Sequence, residues 1–525
     1  MSIPVKNIKF GEIDAKNEVF EQGRTGSHVF KNSFQIPPGI DIQKLTSGAK
    51  YFIHGQKGCG KTAHLLYLKS ILDESNCKTK TILFKSGITE PERQRIATGQ
   101  GFQIVQQNDI PIIEYDYKIN WLWYIYRNLL REVADDQVFE GKETLTALKK
   151  LLGVYAETST SFLSDLTTKR IKAHAKAGIA AGPFTGEIGA EIEAVSRNDE
   201  NIEIEIIEIV ERHIRKVKIF PNRRTALLFD ELELFWNKTD QRSRDLFLIR
   251  DLLYAVSRCN QTFGMDTAAL MVAACVRSEV LHEVNRVGPE ISRDVDDFGV
   301  RVNWNVTIEN EDQPILRIVE AKINASEIES DEEPTPVEEI WGKYFPKSAF
   351  GRKFKQYILD NAMFKPRNIV NMLTLARDLR PDDRSISLAS IDQVQLEFSK
   401  RTWREIEEEL SGEYSAEEVS AIKSTLIGFA SEFDIPKLQK RMENLAKFDP
   451  NVHSFTTKYK AFDMITSLYR VGAIGNLYFV GSGKKEIRFG WIFRDNYDPL
   501  YDKKFMVHES LRKFLQLSFR PEGRK

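Results

Sequence analysis

The sequence predicts an α/β fold: a P-loop-type core with a mainly parallel sheet, followed by a helical lid and a C-terminal module of winged-helix order. Three observations carry that prediction. Short apolar runs recur at Tyr51–His54, Thr81–Phe84, Ile110–Tyr115, Thr225–Phe229 and Ala268–Val276. Stretches of helical spacing separate them, as expected of parallel strands covered on both faces. A glycine-rich loop follows the first run and opens a helix, TAHLLYLKSIL.

Before that first strand, residues 1–50 mix aromatics with the turn Pro37-Pro38-Gly39 and read as a segment lying over the core. The core is expected to span 51–310. Between about 120 and 222 lies a long gap that reads as an insertion, with a helix in NWLWYIYRNLLREV and another near Glu143–Leu152. Its small-residue stretch, AHAKAGIAAGPFTGEIGAEIEAV, suits a hairpin with alternating faces or a subunit contact. The acidic, proline-containing run Glu327–Glu339 reads as a solvated linker, so a linker and helical lid are expected at 311–410 and a separate unit at 411–525.

Composition bounds the function. A chain of 525 residues exceeds one ordinary core, and 42% apolar with 29% charged residues suits a globular fold. The net charge of −1 gives no global attraction to nucleic acid or membrane. Four scattered cysteines make no disulfide framework and no zinc motif, and the 8 histidines are dispersed. The charged N-terminus lacks the apolar run of a leader, and the longest apolar stretch is about half a membrane span. A reducing cytoplasm is expected.

The loop Gly55-Gln56-Lys57-Gly58-Cys59-Gly60-Lys61-Thr62 fits GxxxxGK[ST]. Glycines let backbone N–H groups and a helix N-terminus converge on phosphates. Lys61 is placed for the β- and γ-phosphates, and the Thr62 hydroxyl for magnesium. The matching carboxylates are expected in TALLFDELELFW: Asp230 holding magnesium, Glu231 orienting the attacking water, with Glu233 as its substitute. Arg277, closing the apolar run Ala268–Val276, either senses the γ-phosphate or pairs with Glu279 or Glu231. ATP and Mg2+ are the cofactors expected.

GQKGCGKT, FDELE, the run ending in VRSEV, and KPRNIVNML at 365–373 together resemble the additional-strand P-loop ATPases, where the AAA+ and STAND groups meet. FGEIDAKNE, the Trp121 helix and VHESLRKFL are similar to a bacterial P-loop ATPase family of about this length. The resemblance implies a lid arginine reaching the nucleotide, matched by Arg367. It also implies self-association through a finger arginine, for which Arg244, Arg250, Arg258 and Arg293 are open. Finally, it implies a switch coupled to a protein effector, as in prokaryotic defence against phage.

At the C-terminus, helical patterns at 416–433, 435–448 and 460–471 precede two strands, near 477–480 and 486–493. Residues 451–525 hold 14 Lys or Arg against 7 Asp or Glu, a balance of +7. Lys484, Lys485 and Arg488 suit phosphate contacts with nucleic acid, or else a protein surface. Three functions are expected from these features: a nucleotide switch, a DNA- or RNA-dependent motor, or a scaffold with negligible turnover.

Overall fold

The computed structural model describes residues 2–97, 102–107, 110–154, 188, 191, 202–233, 239–264, 269–288, 290–305, 313–480, 486–494 and 496–518. Its main sheet contains β1 (Phe52–Gly55), β2 (Lys78–Leu83), β3 (Thr225–Leu232), β4 (Leu270–Arg277) and β5 (Gly299–Arg301), in the order β2-β3-β4-β1-β5. Every neighbouring pair is parallel. Residues Thr225–Asp230 and Leu270–Val276 are buried throughout, which is why these two runs are apolar without alternation.

Two expectations about the sheet are corrected. The run Ile110–Tyr115 pairs antiparallel with Phe102–Gln107 in a hairpin of its own, and the short β5 takes the edge beside β1. A three-residue strand carries too little periodicity to be read in advance. The small-residue stretch at 173–195 lies outside the described residues, Ile188 and Glu191 excepted.

Helix α1 (Ala15–Thr25) packs on α2 (Lys61–Glu74), which covers β1 and β2. Helices α3 (Lys118–Glu132) and α4 (Thr239–Gly264) pack together and on β3 and β4. Trp121 meets Phe229 edge-on at 6.3 Å and Phe84 at 6.2 Å. The α3 helix, expected within an insertion, therefore belongs to the cover of the sheet.

The expected linker is also corrected. Helix α5 runs Leu316–Glu329, and Glu327 is fully buried. Its carboxylate accepts hydrogen bonds from Thr335 N (2.7 Å), Thr335 Oγ1 (2.6 Å), Lys343 Nζ (2.8 Å) and Tyr344 OH (2.5 Å). Acidic composition suggested solvent, but four donors converging on one carboxylate make it internal. Helices α6 (Pro366–Leu379) and α7 (Leu388–Leu410) complete the lid. One hydrophobic core runs from Ile3 to Phe398 and a second from Trp403 to Leu517, so α7 is shared between them.

The C-terminal unit has helices at Ala416–Leu426, Ile435–Leu445, Pro450–Lys458 and Ala461–Arg470. Strands β6 (Glu432–Phe433), β7 (Ile474–Val480), β8 (Glu486–Gly490) and β9 (Lys504–Val507) form an antiparallel sheet in the order β6-β9-β7-β8. The three helices and hairpin of the sequence reading are joined by one more helix and two more strands. The span expected as one helix at 435–448 ends at Leu445, and Asp449 caps the next by accepting from Asn451 N and Val452 N.

Candidate functional site

Strand β1 delivers the chain into the glycine loop, and α2 begins at Lys61. Gly58 and Gly60 have φ of 81° and 101°, values that suit only glycine without strain. A Cβ at Gly55 would meet Cys59 Sγ at 2.7 Å and Val302 O at 2.8 Å. The Trp304 indole N–H donates to Cys59 O at 2.8 Å, and Lys61 Nζ donates to the carbonyls of Gly55 (2.9 Å) and Gln56 (2.8 Å).

Two loop residues turn away from the space in front of the helix. Gln56 Nε2 donates to Ile492 O at 2.8 Å, in the C-terminal unit. The Lys57 side chain is buried against α7, 3.3 Å from Glu408 and 3.6 Å from Glu409. Its backbone N–H donates to Glu279 Oε1 at 3.4 Å. The Lys57 side chain is thus engaged by α7 and its backbone N–H by Glu279.

Across the cleft, β3 carries Asp230 and Glu231 at a register irregularity against β4 between Phe229 and Leu232. Glu231 has φ of 60°, rare for a side-chain-bearing residue and characteristic of sites where strain is retained. Asp230 is buried and lines the cleft with Thr62, whose side chain favours the ionised carboxylate. Burial raises its pKa above the ordinary aspartate value, against the opposing pull of the Glu231 backbone, Lys16 and Thr62. Glu231 accepts from Lys16 Nζ, from Ser86 N at 2.8 Å and from Ser86 Oγ at 2.6 Å. Burial opposes its ionisation, but those donors outweigh it and hold the carboxyl below the usual glutamate range.

Arg277 forms its ion pair with Glu233, neither of the two partners expected; Lys85 reaches the same carboxylate at 3.0 Å. Arg367, at the start of α6, lines the cleft. Its Nε donates to Ile13 O at 3.1 Å, and Nη1 lies 3.7 Å from Glu405. Of the finger candidates, Arg244 is held by Glu90 and Asp245, Arg250 by Asp251 and Arg258 by Glu211. Lys484 and Lys485 lie outside the described residues, while Arg488 is exposed on β8.

The cleft, about 1090 Å³ including the space at its open mouth, lies between the loop, residues 12–15, Glu18, Phe34, Trp304, α5 and the start of α6. The N-terminal segment and α5 as its walls, and Lys16 and Ser86 as partners of Glu231, carried no motif in the sequence. Cys59 is buried, and burial raises its thiol pKa, with Lys61 only partly offsetting this. A helix N-terminus near a loop thiol suggests a reactive thiolate; desolvation overrides that here.

Strand, glycine loop, helix and an aspartate lining the same cleft as the loop's threonine define a P-loop NTPase core. The family described as "FunZ-associated C-terminal helical domain" matches residues 313–407, the lid from α5 through most of α7. Comparison with curated proteins returned no match. Among solved structures, the ORC2 protein of Aeropyrum pernix, described in its ADPNP–ADP complexes, aligns at 11% identity. The alignment covers 88% of this chain and 93% of that one at a TM-score of 0.29, a likeness too loose to bear on function. Among the described residues no helix is long and apolar enough to cross a membrane.

Proposed function

We propose that the chain binds ATP with magnesium in this cleft and hydrolyses it, as a switch whose nucleotide state is felt by the C-terminal unit. The observation that carries the reading is that the loop residue Thr62 and the strand residue Asp230 line one cleft, with the Thr62 side chain favouring the ionised carboxylate. A loop hydroxyl and a strand carboxylate facing one cleft are the pair that holds magnesium and its water in P-loop sites. Beside them, Lys61 exchanges loop carbonyls for phosphate oxygens, and the N–H groups of Gly58 to Thr62 complete the cradle. Thr62 and Asp230 would hold the magnesium, which would supply neutralisation of the phosphate charge. Glu231 orients water once its present donors yield.

Arg277 and Arg367 both line the cleft, and Arg367 is the better-placed sensor because its carboxylate neighbour, Glu405, stands off at 3.7 Å. Arg277 would have to give up Glu233. Gln56 and Lys57 give the switch its lever, since two loop residues are held by α7 and by Ile492. In that reading the partners are a second copy and a protein effector, and a defence role follows from the family resemblance alone. Phe479, 57% exposed, and the exposed Phe489 share one face of the β7–β8 hairpin, which favours a protein partner there. Nucleic acid at Arg488 is the alternative.

Equilibrium ATP binding and phosphate release by the full chain test this reading. Lys61→Ala should abolish useful binding, and Glu231→Gln should bind but lose most turnover. A wild-type chain without ATP affinity ends the proposal. Strong stimulation of turnover by DNA would favour a motor, and binding without turnover a scaffold.

A further inference from the structure

Lys16 is the second residue of α1, where the Asp14 cap accepts from its backbone N–H at 3.0 Å. Its ammonium donates to Glu231 Oε1 and stands 3.9 Å from Asp230 Oδ2, so a residue 215 positions upstream neutralises the proposed catalytic pair. The segment that carries it is held to the lid at two points: Arg367 donates to Ile13 O, just before the helix, and Lys322 of α5 pairs with Glu18 at 2.5 Å.

Apart from Lys61, which rests on the loop carbonyls, three further cations of the site have partners outside the proposed chemistry. Arg277 sits on Glu233, Arg367 on Glu405 and Ile13, and Lys57 on α7. Lys16 alone among these is paired with the carboxylate that the reaction needs free. Two anions placed side by side, a γ-phosphate and Glu231, compete for one ammonium, and the more highly charged phosphate wins in a site of low dielectric. The four-carbon stem of lysine lets the head group move between them without moving the helix.

We infer that Lys16 acts in cis on the γ-phosphate: with no γ-phosphate present it holds Glu231, and with the triphosphate in place its ammonium passes to the phosphate oxygens and releases Glu231 to orient water. The inference rests on the proposed reading of the cleft as an ATP site. It makes Lys16 a positioning residue for Glu231 before the reaction and a charge-stabilising residue during it. It also predicts discrimination between tri- and diphosphate without any neighbouring subunit.

The test is the affinity of the full chain, with magnesium, for ADP and for the non-hydrolysable triphosphate adenylyl-imidodiphosphate. Lys16→Met should weaken the triphosphate about tenfold or more relative to ADP, the size of one charge-assisted hydrogen bond, and Lys16→Arg should restore most of that ratio. Glu231→Gln should raise the ratio when Lys16 is present and leave it unchanged in the Lys16→Met background. Equal shifts for both nucleotides, or a Glu231→Gln effect indifferent to Lys16, overturn the inference. If Lys16→Met fails to fold, judged by thermal unfolding, Glu231→Gln alone decides, because it frees Lys16 and must raise the ratio. A wild-type chain that binds neither nucleotide removes the ATP reading itself, an outcome distinct from tight but undiscriminating binding.

Discussion

Lys57 Nζ lies 3.3 Å from Glu408 Oε2, joining the third residue of the glycine loop to a helix 351 residues later. Glu409 flanks the same ammonium at 3.6 Å and is the more enclosed partner, its side chain 17% exposed against 74% for Glu408. It also faces Arg277 electrostatically. Glu408→Ala should therefore cost less than about 1 kcal/mol, as exposed pairs do. Glu409→Ala should cost about 2 kcal/mol or more, because Lys57 is left buried with its weaker partner. Denaturant unfolding of the two variants checks the order.

Glu327 should be among the most sensitive positions outside the cleft. Replacing it with Ala strands Lys343, Thr335 and Tyr344 and should destabilise the chain by about 3–5 kcal/mol, with Glu327→Gln costing less. Burial would raise this carboxyl's pKa, but the three side-chain donors outweigh it and hold it below the usual glutamate range. A group depressed in this way contributes stability above its unfolded pKa and loses it as pH falls through the folded one. Part of the wild-type acid lability should then vanish in Glu327→Gln, as thermal midpoints between pH 6 and pH 3 would report.

All four cysteines are buried, and burial pushes the thiols of Cys59 and Cys275 up. Alkylation by N-ethylmaleimide at neutral pH should be slow for the native chain and rapid after denaturation. Fast labelling of Cys59 in the folded protein, read by peptide mass spectrometry, would contradict the packing of the loop.

Two buried histidines set a second pH dependence. Burial lowers His64 to about 4 and His508 to about 3, so both are neutral in the folded chain. Unfolded imidazoles bind protons near pH 6.5, and the folded ones do not until much lower. Stability should be complete above about pH 6.5 and fall as pH drops towards 4, by up to about 3 kcal/mol for His64. His64→Gln should flatten this dependence in urea unfolding at pH 7 and pH 5.

The glycine loop, its strand and helix, and the carboxylates closing an apolar run were legible in the sequence. Each is a local pattern: GQKGCGKT demands one backbone path, and Ala226–Phe229 demands burial on both faces. The helical character of the lid and C-terminal unit was legible for the same reason, through periodicity. What only the tertiary structure decided is which distant groups those residues meet. That Lys16 and Ser86 hold Glu231, that Glu233 occupies Arg277, and that α7 grips Lys57 all depend on segments brought together by the cores around Trp121 and Trp403. Glu327 is the clearest instance, since its acidic neighbourhood signalled solvent while its side chain lies inside. A charge carries no mark of whether water or another residue will satisfy it, and that choice is made only when burial removes the water.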